Sequence, residues 1–204
     1  MSASGQETEA KFYVRDLSRI KSRLEELHAR LVQERVLETN IRFDLPGAPL
    51  RAEGRVLRLR QDTDVWLTYK SASKNEQGVL SREEIEFKVE DFEKAKRLLE
   101  ALGYQKLVYY EKHRTTYELS EALIMLDELP YGNFVEIEGE TVESIQTITK
   151  QLGLHWKYAI ATSYNALFDR ARQSLNLSAQ DLSFAEFRDR KVAAADLGVQ
   201  AADM

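Results

Sequence analysis

Several segments of this chain alternate charged and apolar residues at the period of an extended strand. Glu7-Thr8-Glu9-Ala10-Lys11 is the first. Side chains at i, i+2 and i+4 share one face of a strand, so Glu7, Glu9 and Lys11 point one way while Ala10, Phe12 and Val14 point the other. The pattern recurs in Val56-Leu57-Arg58-Leu59-Arg60, in Arg82-Glu83-Glu84-Ile85-Glu86-Phe87-Lys88 and in Phe134-Val135-Glu136-Ile137-Glu138. If the apolar faces pack against helices, the charged faces meet on the opposite side. A sheet closed on itself then has a charge-lined interior. One such segment alone reads as the solvated face of an antiparallel sheet; repetition in four segments favours the enclosed reading.

The remaining periodicity predicts the elements around these strands. Residues 7–15 read as a strand. Asp16 caps a helix running to about residue 32, with Leu17, Ile20, Leu24, Leu27 and Leu31 as its apolar stripe. A strand over 36–45, a Pro46-Gly47-Ala48-Pro49 loop, strands over 54–62 and 64–71, a polar connection over 71–77 and a strand over 79–89 follow. Asp91 begins a second helix, with Phe92, Ala95, Leu98, Leu99 and Leu102 inward and Gly103 as its stop. Strands over 105–118, 122–128 and 133–139 precede a third helix with Val142, Ile145, Ile148 and Leu152, ended by Gly153. A helix over 163–172 carries Tyr164, Leu167, Phe168 and Ala171, which read most simply as packing, with a tunnel lid or a dimer contact as alternatives. Ser183-Phe184-Ala185-Glu186 has the form of a capping box, and the alanine-rich residues 192–204 are expected to fray into disorder. The fold class is therefore α+β, with the sheet closed on itself and helices packed outside. The chain divides into a tunnel domain over 1–172 and a partly disordered C-terminal helical extension over 173–204.

Composition narrows the chemistry. The 204 residues are 43% hydrophobic and 31% charged, with a formal net charge of −5. That charge argues against a general nucleic-acid partner without excluding a locally basic pocket. Cysteine is absent, which removes disulfides, thiolate metal sites and cysteine nucleophiles. Residues 1–6 lack an apolar signal core, and no run approaches the roughly 20 apolar residues of a membrane span. The expectation is a soluble, cytoplasmic protein with no membrane partner.

A triphosphate carries about four negative charges and needs several fixed cations. Lys11, Arg58, Arg60, Lys70, Arg82, Lys112 and Arg114 fall on predicted strands at parities that can share one interior. Magnesium or manganese needs hard oxygen donors bridging to phosphate, and Glu7, Glu9, Asp127, Glu136 and Glu138 are the candidates. Carboxylates among clustered cations also offset their repulsion.

The ordered set resembles the CYTH superfamily, the triphosphate tunnel metalloenzymes, which includes class IV adenylyl cyclases and thiamine and inorganic triphosphatases. The resemblance runs over about residues 7–170. It rests on Glu7-Thr8-Glu9-Ala10-Lys11, Leu57-Arg58-Leu59-Arg60, Leu67-Thr68-Tyr69-Lys70, Ser81-Arg82-Glu83-Glu84-Ile85-Glu86, Glu111-Lys112-His113-Arg114, Leu126-Asp127-Glu128 and Val135-Glu136-Ile137-Glu138. It implies that the sheet is a closed eight-stranded antiparallel β-barrel forming a triphosphate tunnel, with Lys11, Arg58, Arg60, Lys70, Lys112 and Arg114 on the triphosphate. Glu7, Glu9, Glu136 and Glu138 would then hold Mg2+ or Mn2+, and Asp127 would be a further metal-side or orienting acid. The resemblance extends more loosely to Arg82 and Glu84, and Lys157 would be an additional phosphate contact. Lys11, Lys70 and Arg114 are the expected catalytic residues. In Asn40-Ile41-Arg42-Phe43-Asp44, arginine and phenylalanine stand where triphosphatases of the family often have tyrosines.

The expected function is cleavage of a small-molecule triphosphate (ATP, thiamine triphosphate or tripolyphosphate), with hydrolysis favoured because cyclisation also needs an adenine and ribose pocket. Alternatives are a class IV adenylyl cyclase, forming cyclic AMP and pyrophosphate, and a non-catalytic polyphosphate- or nucleotide-binding module. A homodimer is compatible with the sequence. His28, His113 and His155 have no metal-ligand spacing, and Trp66 and Trp156 read as packing groups.

Overall fold

The computed structural model describes residues 6–76 and 79–204; the side chains of Gln6, Glu7 and Glu76 are outside that description. In chain order the elements are β1 (Gln6–Val14), α1 (Leu17–Glu26), β2 (Arg30–Asp44), α2 (Pro49–Ala52), β3 (Val56–Gln61), β4 (Val65–Lys70), β5 (Lys74–Glu76) and β6 (Val79–Val89). They continue with α3 (Phe92–Ala101), β7 (Gln105–Leu119), β8 (Ala122–Leu129), β9 (Gly132–Glu138), α4 (Val142–Gln151), α5 (Tyr164–Ser174) and α6 (Phe184–Phe187). Two 3-10 turns, Trp156–Tyr158 and Ala194–Leu197, flank α5 and α6.

Eight antiparallel strands form a ring in the order β1-β9-β8-β7-β2-β3-β4-β6, and β6 pairs back onto β1. The short β5 adds onto β6. Closure leaves these eight strands without a free edge. The alternation in the sequence decides which face is inside. Ala10, Phe12 and Val14 of β1 point outward with Ile124, Leu126, Val135 and Ile137, and are covered by Ile20 and Leu24 of α1 and Ile145 and Ile148 of α4. Ile41, Phe43, Leu57 and Leu59 point outward beneath Leu99 of α3. Each such buried aliphatic side chain contributes about 1.5–3 kcal/mol, so the core lies outside the ring, between strands and helices. A third cluster joins Tyr110, Leu129 and Phe134 of the ring to Tyr164, Leu167, Phe168 and Ala171 of α5 and Phe187 of α6.

The helices start where the capping residues predict. Asp16, Asp91, Thr141 and Ser163 each accept a backbone N–H of the first turn. Gly103 and Gly153, with φ of +92° and +71°, stop α3 and α4.

The expected helix to residue 32 ends earlier, at Glu26. His28 takes a left-handed φ of 56° and the chain reverses into β2, whose Arg30 pairs with Glu118 of β7. Leu31 continues the helical spacing by coincidence; cross-strand pairing overrides it. Leu98 and Leu102 of α3 do not turn inward but stand 60% and 63% exposed. The Pro49–Ala52 turn and β5 are elements absent from the sequence reading.

Residues 192–204, expected to fray, pack onto the ring. Ala201 bridges Tyr13, Ala202 is buried, and the Asp203 carboxylate accepts the N–H groups of Arg15 and Asp16 at 2.9–3.0 Å. Among the described residues no helix is long and apolar enough to cross a membrane.

Candidate functional site

The inward faces of the ring enclose a cavity of about 490 Å³. Lys11 enters from β1, Arg58 and Arg60 from β3, Lys70 from β4, Arg82 from β6, and Lys112 and Arg114 from β7. Seven of the expected phosphate-binding cations thus line one space. Glu9, Glu136 and Glu138 line it as well. The β1–β9 register sets Glu9 directly across from Glu138 and Lys11 across from Glu136. Glu7 has its backbone in β1, but its side chain lies outside the described residues.

Two expected residues are not in the wall. Lys157 is exposed on the Trp156–Tyr158 turn, its ammonium 4.7 Å above the Tyr158 ring. It is not among the residues that line the cavity. Asp127 is fully buried behind the wall. Its oxygens accept Lys112 Nζ at 3.0 Å, Arg114 Nε and Nη2 at 2.7 and 2.6 Å, and the Tyr164 hydroxyl at 2.8 Å. With four donors on two oxygens, the carboxylate is committed to aiming those side chains.

The cavity charges form interlocked networks. Lys11 Nζ lies 2.8 Å from Glu136 and 3.7 Å from Glu9, and Glu136 also meets Arg114. The Lys11 and Lys112 ammoniums sit 4.4 and 5.3 Å from the centre of the Tyr164 ring. Across the ring, Glu86 accepts Thr68 Oγ1 at 2.6 Å and approaches Arg60 and Arg58 at 3.2 and 3.5 Å. Lys70 pairs with Glu84 at 3.0 Å, and Arg82 lies 4.0 Å from Glu9.

Burial alone would make these charges unfavourable, and the neighbours outweigh it. Burial lowers the Lys11 pKa, yet Glu136 and Glu9 hold it above the ordinary lysine value. Burial raises Glu136, but Lys11, Arg114 and Lys112 hold it well below the usual carboxylate range. Glu38 of β2 behaves alike, depressed by Lys112, Arg114, Arg60 and Arg58 against the effect of burial.

The fold and site now bear on kinship. A family model described as the CYTH domain matches residues 5–159. The chain belongs to the CYTH family. A Methanocaldococcus jannaschii protein named "putative adenylate cyclase" is 27% identical over 169 residues, spanning 78% of this chain and 95% of that protein. The X-ray structure of a Vibrio parahaemolyticus protein, also described as a putative adenylate cyclase, superposes with a TM-score of 0.72 at 21% identity, covering 81% of this chain and 99% of its own. A Hippeastrum protein, described as a putative adenylyl cyclase with a dominant triphosphatase activity, has a TM-score of 0.58 at 20% identity, covering 95% of this chain and all (100%) of its own. These two structures share the CYTH ring.

The oxygen donors of this CYTH cavity fit a hard divalent cation. Among the described residues, no three acidic or histidine side chains converge as a ready-made ligand cluster. One or two carboxylates sharing an ion with phosphate oxygens and water is how magnesium is usually held. Glu9, 3.7 Å from Lys11 and 4.0 Å from Arg82, is held more loosely than Glu136, which Lys11 and Arg114 engage closely, and it faces Glu138 across the β1–β9 pair.

Sequence reasoning missed four inward residues. Glu38, Asn40 and Arg42 continue the charged-in, apolar-out alternation on β2, with Ile41 and Phe43 facing the core. That alternation was available as a signal. Tyr110 of β7 lines the cavity opposite Asn40. Three residues from the segment after α4 also line the cavity: Ser163, Tyr164 and Asn165 at the start of α5. The same helix carries the expected packing stripe, with Leu167, Phe168 and Ala171 buried against the ring. Asp44 instead accepts the N–H groups of Leu45, Leu50 and Arg51 at 2.8–3.0 Å and fixes α2. His113 lies against Phe184, 4.8 Å between ring centres.

Proposed function

We propose that this chain is a divalent-metal-dependent enzyme that hydrolyses a small-molecule triphosphate inside the ring. One observation carries the reading: eight cations and five carboxylates face a single cavity. A surplus of cations suits a polyanion, while interspersed acids suit an accompanying metal; a pure polyanion-binding module could dispense with those acids. Lys11, Lys70 and Arg114 would neutralise the charge that develops on the transferred phosphoryl group, and Arg58, Arg60, Arg82 and Lys112 would hold the chain of phosphates in place. Asp127 and Tyr164 act behind them by fixing Lys112, Arg114 and Lys11. Glu9 and Glu138, with Glu7 and Glu136, would hold Mg2+ or Mn2+, which when bound supplies further charge neutralisation. In hydrolysis a water oxygen bonds to the terminal phosphorus, the bridging P–O bond breaks, and orthophosphate and the shortened phosphate leave. The tunnel domain over 1–172 with a C-terminal extension over 173–204 is part of this proposal.

The name of the M. jannaschii relative favours cyclisation of ATP as a second reading. Against it, one of the two tyrosine rings that line the cavity is already taken: Tyr164 carries Lys11 and Lys112. The test is incubation with tripolyphosphate, thiamine triphosphate and ATP, each with magnesium, with manganese and with EDTA. Metal-dependent orthophosphate release is expected, with activity lost in EDTA. Cyclic AMP with pyrophosphate would select the cyclase, and tight binding without turnover, unchanged in Glu9→Gln, would select a binding module.

A further inference from the structure

Arg42 differs from every other cation in the cavity. It projects from β2, lines the cavity, and has Arg58 of β3 as its cross-strand partner. Lys11, Arg58, Arg60, Lys70, Arg82, Lys112 and Arg114 each have a carboxylate within ion-pair distance. Among the described residues Arg42 has none. After burial, Tyr110 acts on it most and in the opposite sense, and Arg51, Arg82 and Arg58, all cations, follow. Burial, followed by the repulsion of those guanidiniums, lowers its pKa. Arg58, which also hydrogen-bonds Tyr110, keeps its Nε buried without a partner.

A half-buried guanidinium surrounded by its own sign is unfavourable unless something anionic offsets it. The ring order places β2 and β3 across the interior from β1 and β9. Glu9, Glu136 and Glu138 therefore stand on one wall and Arg42 on the other, beside Arg58, whose own acid is Glu86. A phosphoryl group carries up to two charges and accepts from arginine forks, whereas the acids nearest this side, Glu38 and Glu86, are already engaged by Lys112, Arg58 and Arg60.

We propose that Arg42, the cavity cation with no carboxylate of its own among the described residues, joins Arg58 and Arg82 in an anion subsite for the terminal phosphoryl group of the triphosphate, and that Arg42 sets the specificity for that group. The subsite rests on the triphosphate reading of the cavity. It predicts that the group recognised is common to tripolyphosphate and ATP. It also separates binding from stability, because Arg42 makes no ion pair that folding needs.

The experiment compares wild type, Arg42→Gln and Arg42→Lys. Calorimetric titration with tripolyphosphate and with ATP, without metal, reads binding apart from turnover. Thermal melts without added anion read stability. In Arg42→Gln, both ligands should bind roughly tenfold to hundredfold more weakly, as expected for the loss of a charge-assisted contact. The same variant should melt at or above the wild-type temperature, and Arg42→Lys should keep most of the affinity. Affinity within about twofold of wild type, a loss confined to ATP, or a large fall in melting temperature in Arg42→Gln would each overturn the subsite. The two proposals fail separately. Weaker tripolyphosphate binding in a chain that hydrolyses nothing keeps the subsite and removes the triphosphatase. Unchanged binding and KM in an active enzyme does the reverse.

Discussion

Replacing Asp127 by asparagine tests whether one buried carboxylate organises the cationic wall. Asp127 has no solvent exposure and accepts from Lys112, Arg114 and Tyr164. Asparagine keeps the shape but removes the charge and turns one acceptor into a donor that faces other donors. Breaking a buried ion pair on one side costs about 3–5 kcal/mol. Partial compensation remains, since Lys112 keeps Glu38 at 3.6 Å and Arg114 keeps Glu136. The expected loss is therefore near the lower end, about 3 kcal/mol, or a fall in Tm of roughly 6–12 °C for a chain of this size. Urea unfolding at neutral pH measures it, and Tyr164→Phe, which removes one hydrogen bond, should cost about 1 kcal/mol. The double variant should lose less than the sum because both act on one network. A loss under about 1 kcal/mol in Asp127→Asn would refute the idea that Asp127 holds this wall together.

Other predictions concern pH and the chain end. Glu38 has its folded-state pKa depressed despite burial, by Lys112, Arg114, Arg60 and Arg58. The unfolded chain then binds that proton more readily, so the stabilisation is complete above the ordinary value of 4.5 and is lost as pH falls below it. Urea midpoints should decline from pH 7 to pH 3 in wild type and less steeply in Glu38→Gln; equal slopes would remove Glu38 from the account. Asp203→Ala should lower stability by about 1–3 kcal/mol and speed amide exchange at Arg15 and Asp16, whose N–H groups its carboxylate accepts. Unaltered exchange there would mean that the C-terminal residues do not clamp the start of α1.

Local pattern was enough wherever neighbours along the chain decide the structure. The strand over 79–89 is fixed by unbroken alternation, and α3 lies between its Asp91 cap and Gly103 as the sequence implies. The same parity rule turned seven cations toward one interior. It gives the face of a residue and not its depth, which is why Asp127 has the right parity and yet sits behind the wall. The end of α1 was illegible because pairing of β2 with β7 overrides helical spacing. Burial of the last residues depends on Asp203 meeting Arg15 and Asp16, contacts 188 and 187 positions apart that no local window contains. Arg42 was legible by alternation, but its lack of an acid partner follows only from the arrangement of all eight strands.

The paired and unpaired charges divide the cavity into two kinds of residue. Carboxylates that meet Lys11, Arg58, Arg114 and Lys112 suppress like-charge repulsion and hold each cation in one position before any ligand arrives. Fixed donors spend little ordering entropy on binding, which favours a site that recognises developing charge. Those cations consequently serve folding and recognition together, and truncating one exposes its acid to burial without compensation. Arg42 has no such obligation, so its charge is available only to a ligand. Stability measured across the cation series should therefore fall for Arg114→Gln and not for Arg42→Gln. The opposite ranking would mean that the acid network is incidental to folding.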